Sequence, residues 1–389
     1  EKIVFDENQL EIISHRGNPL VVIGGPGTGK SATLVARVKS YIESGIDPNQ
    51  ILVLTFDRHR ASELNDQIFS DTKGTTSGSL VKTFPALAFA ILRIHRAQAG
   101  KKPPRLRTGP EQEYLIRELL AGSHEANSHN WPEALRAASQ TRAVATQLRD
   151  LLSRAIECGL SAKELANLAT SENFPLWKSA GSFMREYQAV SNLENENAFD
   201  PSEMIFQATR VLEQDHEFRQ DIRSRHQVIL IDEFQESDKA QRALLQNIAT
   251  DDLLIALDPY STVGRFRGAD PDGLEAALDL YRKSGEVIHL DENFRASSAL
   301  HLFLEKVAGE FPKPPRTQSS TSNISGSVIA ECFIDPANEA AFIADKLQRA
   351  HLQDGLSWSD MAVIFRSPAQ NSVLRSALMR SNIPVAGEL

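Results

Sequence analysis

The sequence predicts an α/β fold: a parallel sheet covered by helices on both faces, interrupted by a long helical insertion and followed by further α/β sequence. Three observations predict it. Short apolar runs alternate with amphipathic stretches up to about residue 84. Ala, Leu, Glu and Arg at helical spacing then dominate to about residue 210. From residue 228 the strand–helix rhythm returns.

In order along the chain, 21–23 reads as a buried strand, followed by an amphipathic helix through Tyr41. A strand is expected over 51–55, a polar helix over 57–69, and a third strand ending at 81–84. The insertion shows helical patterning over 113–120, 131–156 and 161–168, with polar breaks at 123–130 and 171–175. Strands are expected again over 228–231, 253–257, 287–290, 327–333 and 361–365, and helices over 338–350 and 372–380. The Pro-, Ser- and Thr-rich stretch 311–327 reads as a loop. The implied organisation is a first α/β region at 1–85 and 205–283, a helical subdomain at 86–204, and the start of a second α/β region at 284–389.

Bulk properties narrow the function. At 389 residues, 41% of them hydrophobic and 24% charged, the chain can bury ordinary cores and suggests more than one domain. No apolar run approaches the roughly 20 residues of a membrane span, so no membrane partner is expected. Two cysteines far apart, Cys158 and Cys332, read as buried thiols of a cytoplasmic protein, not a zinc site. The net charge of −9 excludes coating of nucleic acid by charge alone but leaves room for a basic groove. The densest basic stretch, 101–107, contains two prolines and reads first as a solvated linker.

The chemistry is announced by Gly24, Gly25, Pro26, Gly27, Thr28, Gly29, Lys30 and Ser31, which complete G-x-x-x-x-G-K-[ST] directly after an apolar run. Strand, glycine loop and helix in that order free backbone N–H groups to surround the phosphates of a nucleoside triphosphate such as ATP. Lys30 would add a point charge, and the Ser31 hydroxyl would ligate Mg²⁺. Farther on, the apolar strand 228–231 ends in Asp232 and Glu233. Strand ends of an open parallel sheet face the ligand crevice, where Asp232 can hold Mg²⁺ and Glu233 can orient and deprotonate water. The alternative is an acidic turn capping the next helix.

Asp232-Glu233-Phe234-Gln235-Glu236 resembles the DEFQD motif of the UvrD/Rep/PcrA group of superfamily 1 DNA helicases. Other elements of that family occur in register. Phe5-Asp6-Glu7-Asn8-Gln9 is similar to LNxxQ, which implies that Gln9 reads adenine. Leu54-Thr55-Phe56 with 61–64 resembles a segment that contacts single-stranded DNA, and Thr83-Phe84-Pro85-Ala86-Leu87 resembles TFHSL with proline for histidine. Leu290-Asp291-Glu292-Asn293-Phe294-Arg295 is similar to LxxNYR, implying that Phe294 stacks on adenine and Arg295 stabilises the γ-phosphate in the transition state.

The resemblance implies a P-loop NTPase with a RecA-like parallel sheet, an inserted helical subdomain and part of a second RecA-like lobe. It also implies ATP-dependent 3′→5′ movement on single-stranded DNA and single-/double-strand junctions, in repair or recombination. Thr55, Phe56, Thr83, Phe84, Phe266 and Arg267 are the candidate DNA contacts, although each of the three phenylalanines could equally be core. Stretches at 106–112, 131–135 and 148–155 resemble the actinobacterial AdnAB-type branch, which implies a second helicase–nuclease subunit as partner.

The sequence departs from the family at 258–269, which resembles GDxDQSIYxFRGA. Ser261 stands at the glutamine that touches the γ-phosphate, Tyr260 at an acidic residue and Gly264 at a base-stacking tyrosine. Ala32 stands where close relatives carry arginine or threonine. The expectation is a motor with nucleotide binding intact and weakened coupling, or a nucleotide-binding accessory subunit that does little mechanical work. An RNA helicase is disfavoured by the DEFQ element. Later family motifs have no counterpart, so the chain reads as an N-terminal fragment.

Overall fold

The computed structural model describes residues 3–70, 79–123, 127–139, 141–194, 197–311, 319–322, 324–365 and 371–385. The strands among them are, in chain order, β1 (Leu20–Gly24), β2 (Ile51–Thr55), β3 (Val81–Thr83), β4 (Arg105–Leu106), β5 (Ala198–Phe199), β6 (Val228–Ile231), β7 (Asp252–Leu257), β8 (Glu286–Leu290), β9 (Glu292–Asn293) and β10 (Ser319–Ser320). Six form one all-parallel sheet in the order β3-β2-β6-β7-β1-β8. β2 and β6 are buried at every position, as expected of strands covered on both faces. One face packs against the helices Phe84–Gln98, Pro201–Gln214 and Lys239–Ile248. The other is covered by Glu7–Ser14, Lys30–Glu43 and Arg58–Phe69.

The chain divides into two compact units, 1–324 and 325–389. This moves the expected boundary at 284. β8 does not begin a second region; it hydrogen-bonds to β1 from Leu20↔Glu286 to Gly24↔Leu290 and completes the first sheet as its edge. The backbone ladder ties it there more strongly than its position in the sequence suggests.

The insertion is also shorter than 86–204. Leu87, Ala88, Ile91 and Leu92 of Phe84–Gln98 pack in the sheet core, as do Met204 and Ile205 of Pro201–Gln214. The insertion proper is pinched off by the parallel pair β4–β5 and holds its own core, including Leu115, Trp131, Leu148, Phe183 and Tyr187. Arg107, read as part of a solvated linker, is buried and donates to Tyr187 Oη at 3.0 Å and Ala198 O at 3.2 Å. Its neighbours Lys101 and Lys102 are exposed.

In the second unit, the helices Pro336–Leu352 and Asn371–Arg380 bury Ala340, Ala344, Leu374, Leu378 and Ile383 between them. The strands expected over 327–333 and 361–365 do not form among the described residues. Their apolar patterning is real, but a strand needs a ladder partner, and no described residue supplies one. Parts of the expected breaks at 123–130 and 311–327 lie outside the described residues; within the latter, β10 pairs with β9. Both cysteines are exposed, not buried, because Cys158 sits past the last turn of Arg142–Glu157 and Cys332 in an exposed extended stretch. Among the described residues no helix is long and apolar enough to cross a membrane.

Candidate functional site

The parallel sheet sets the C-terminal ends of β1, β2, β6 and β7 along one edge, with β7 lying between β6 and β1. The loop after β1 turns on Gly27 and Gly29, both at positive φ (+80° and +82°), and the helix Lys30–Glu43 starts immediately. A side chain at Gly27 would meet the Asn293 carboxamide, and one at Gly29 would meet that of Gln9. Thr28 is fully buried and donates to Gly25 O at 2.8 Å, cross-bracing the loop.

Lys30 is buried and donates to Gly24 O at 2.8 Å and Gly25 O at 3.1 Å. An ammonium has three donors, so this posture leaves one for a phosphate oxygen. Ser31 Oγ donates to Asp232 Oδ2 at 2.9 Å, joining the glycine loop to the end of β6. Asp232 is completely buried, and its Oδ1 has no hydrogen-bond partner. An orphaned carboxylate oxygen beside a hydroxyl is a donor set that suits a hard divalent cation, so the residues present fit Mg²⁺.

Glu233 has φ +60°, a left-handed conformation that is uncommon outside glycine and that clusters at functional sites. Burial, and then the neighbouring Asp232, push its carboxyl above the usual range, against the pull of Lys30. Gln235 donates to Glu233 and accepts from Asp258 N at 3.0 Å. Ser261 in turn donates to the Asp258 carboxylate. These groups share an open cleft of about 1590 Å³, lined by the glycine loop with Lys30, Ser31, Ala32, Arg60, Glu233, Asp258, Ser261 and Arg295.

The segment 290–295 docks directly on the loop. Phe294 N donates to Gly27 O at 3.0 Å, and Asn293 Nδ2 donates to Pro26 O at 2.9 Å. Arg295 lines the same cleft from within the first unit, so it does not await a second lobe to reach the loop. Phe294 is partly exposed at 40%. Gln9 is buried; it donates to Thr28 O at 3.1 Å and accepts from Asp6 N at 3.0 Å, so its amide buttresses the loop.

The candidate DNA contacts divide sharply. Thr55, Thr83 and Phe84 are buried, and Phe84 is core on the face of the sheet opposite Lys30–Glu43. Its ring offers no face to a base, because the apolar core claims it. Phe56 is half-buried and stacks on Phe84 with centroids 5.2 Å apart. Phe266 is 72% exposed with the Arg267 guanidinium 5.1 Å over its ring, a geometry open to nucleobase stacking.

Sequence reasoning missed two site residues. Asn293 sits inside the LxxNYR-like element without an assigned role; its buried carboxamide both clamps Pro26 and accepts from Arg295 N and Ala296 N. Arg60 pairs with Asp232 at 3.1 Å, and no motif pointed to it.

Two family models match the chain: UvrD/REP helicase N-terminal domain over residues 5–282 and UvrD-like helicase C-terminal domain over residues 288–387. The chain belongs to the UvrD/REP helicase family. Its relatives include DNA helicase II of Escherichia coli (23% identical over 388 residues) and ATP-dependent DNA helicase UvrD1 of Mycobacterium tuberculosis (24% over 395). ATP-dependent DNA helicase PcrA of Staphylococcus epidermidis is 22% identical over 385 residues. Each alignment covers 98% of this chain and 49–51% of the relative, so the chain spans about half the length of these UvrD/REP helicases. The second family model starts at 288, inside β8, which the ladder assigns to the first unit.

Proposed function

We propose that this chain carries the ATP-hydrolysing site of a DNA helicase or translocase that moves 3′→5′ on single-stranded DNA and acts at strand junctions in repair or recombination. The observation that carries the reading is the 2.9 Å bond from Ser31 Oγ to Asp232 Oδ2 with left-handed Glu233 next in sequence. It sets the residue after Lys30 against Asp232, with Glu233 on the same cleft as Lys30 and Ser31, an arrangement that supports in-line phosphoryl transfer.

In this reading the backbone N–H groups of Gly27, Thr28, Gly29 and Lys30 and the Lys30 ammonium bind the phosphates. Ser31 and Asp232 hold Mg²⁺, which when bound neutralises charge on the phosphate oxygens. Glu233 orients the attacking water and takes its proton; its raised pKa makes it a stronger base than an ordinary exposed carboxylate. Arg295 meets the charge that develops on the γ-phosphate, and Phe294 covers the adenine that Gln9 is proposed to read. Phe266 and Arg267 are the proposed DNA contacts.

A second reading, a nucleotide-binding accessory subunit paired with a helicase–nuclease partner, is favoured by Ser261 and Gly264. The Ser261 hydroxyl is spent on Asp258 and has less reach than the glutamine it replaces. Gly264 carries no stacking face.

The deciding experiment is ATP hydrolysis with and without single-stranded DNA, beside Lys30→Ala. Strong stimulation lost in the variant supports the motor. Binding of nucleotide and DNA without stimulation supports the accessory subunit, and turnover preserved in Lys30→Ala removes the loop from the mechanism.

A further inference from the structure

We propose that Arg60 is a resident cation on the metal carboxylate, and that it sets how much divalent cation this site needs before nucleotide binds tightly. The inference rests on the nucleotide-site reading above and adds a residue that no motif of the chain pointed to.

Asp232 is a fully buried carboxylate with Glu233 beside it, an arrangement that demands a positive partner. Lys30, the nearest residue expected to supply one, turns instead to the carbonyls of Gly24 and Gly25. Arg60 takes that role. Its Nε and Nη2 both donate to Asp232 Oδ2, at 3.3 and 3.1 Å, while Nη1 reaches Glu63 at 3.2 Å. Ser31 Oγ donates to the same oxygen. Oδ2 therefore accepts three hydrogen bonds while Oδ1 has none.

A guanidinium and a divalent cation compete for that carboxylate. Both are positive, and although Oδ1 is open to a cation, the Ser31 hydroxyl lies on Oδ2, the oxygen the guanidinium holds. Arg60 therefore opposes a cation held between Asp232 and Ser31, and its departure from Oδ2 favours one. The side chain has a way out. Arg60 stands in the first turn of Arg58–Phe69, a helix capped by Asp57, which accepts from Arg60 N at 3.2 Å. Its side chain is 29% exposed and lines the cleft shared by the glycine loop and Ala32. The backbone can stay fixed while the guanidinium swings toward the cleft, where phosphate oxygens are a natural partner for its planar donors.

The test is binding of a fluorescent ADP analogue at increasing Mg²⁺, read as the Mg²⁺ midpoint, for the wild type, Arg60→Ala, Arg60→Lys and the exposed neighbour Arg58→Ala. Removing a competing charge at this range should lower the midpoint about tenfold in Arg60→Ala. Arg60→Lys, which keeps the charge but loses the two-donor fork, should fall between, and Arg58→Ala should match the wild type. A structural ion pair alone would move the melting temperature and leave the midpoint where it is. An unchanged or raised midpoint in Arg60→Ala overturns the proposal. Should that variant fail to fold, an unchanged midpoint in Arg60→Lys overturns it equally. If the wild type binds no nucleotide at any Mg²⁺ concentration, the nucleotide-site reading fails, and this proposal with it.

Discussion

Gln235 donates to the Glu233 carboxylate and uses its other amide atom to accept from Asp258 N, so one side chain couples the end of β6 to the end of β7. Through Asp258 the link continues to Ser261 and, by Thr262 Oγ1 at 3.4 Å from Gln235 O, back to the β6 segment. The proposed base is thus held by the stretch in which this chain departs most from its family.

That coupling gives Glu233→Gln and Gln235→Ala different signatures. Glu233→Gln keeps the shape but removes the base, so turnover should fall by about 10²–10⁴-fold with nucleotide affinity preserved. Gln235→Ala leaves the base and loosens its aim, so turnover should fall less and the Asp258 segment should lose order. Single-turnover hydrolysis beside equilibrium binding separates the two; loss of binding in Glu233→Gln would make Glu233 a structural residue.

The pH dependence of turnover follows from the same carboxyl. Burial and Asp232 raise its pKa above the ordinary value, and the base form is the deprotonated one. Turnover should therefore decline as pH falls, with an acid-limb midpoint above the ordinary carboxylate value of 4.5. A limb at or below that value would take the role of base away from Glu233.

Ser261→Gln should restore reach from the β7 segment into the cleft. In the motor reading it raises DNA-stimulated turnover with little effect on basal turnover. Stimulation that does not change would mean that position 261 is not where coupling was weakened.

The strand, glycine loop and helix of the proposed nucleotide site were legible in the sequence because these elements are local. A strand, a glycine loop and a helix N-terminus occupy one continuous stretch, and Asp232-Glu233 ends an unmistakable apolar strand. What escaped depends on long-range pairing. β8 looks like any apolar strand until its ladder with β1 is seen, and Phe84 looks like any exposed-motif aromatic until the core closes over it. Arg60 lies 172 positions from Asp232, and no spacing rule reports such a pair.

Gly264 and Glu236 depart from the family pattern together. A side chain at 264 would collide with the Glu236 carboxylate, whose other oxygen accepts from Val263 N at 2.7 Å. The extra methylene of Glu236, relative to the family aspartate, fills the space that glycine leaves. Gly264→Tyr alone should displace Glu236 and cost about 0.5–1.5 kcal/mol for the lost hydrogen bond, since the exposed Val263 amide regains water. Adding Glu236→Asp should recover part of that loss. A double-mutant cycle by denaturant unfolding checks it, and additive costs would mean that the two positions are independent.

Stability should fall on mild acidification because of His226, two residues before β6. Burial, then the nearby Lys82 and Arg225, lower its pKa from 6.5 to about 4. The unfolded chain therefore binds a proton between those values that the folded protein refuses, so unfolding is favoured as pH drops from 6.5 toward 4. Its Nδ1 is buried without a hydrogen bond, so a proton there meets no acceptor. The contribution is about 1–3 kcal/mol, present at neutral pH and lost through that window. His226→Gln should flatten the difference between urea midpoints at pH 7 and pH 5. Because Gln227 N next door donates to Gln50 O at 2.8 Å, the acid-sensitive step should open the start of β6 against β2, with loss of amide-exchange protection there first.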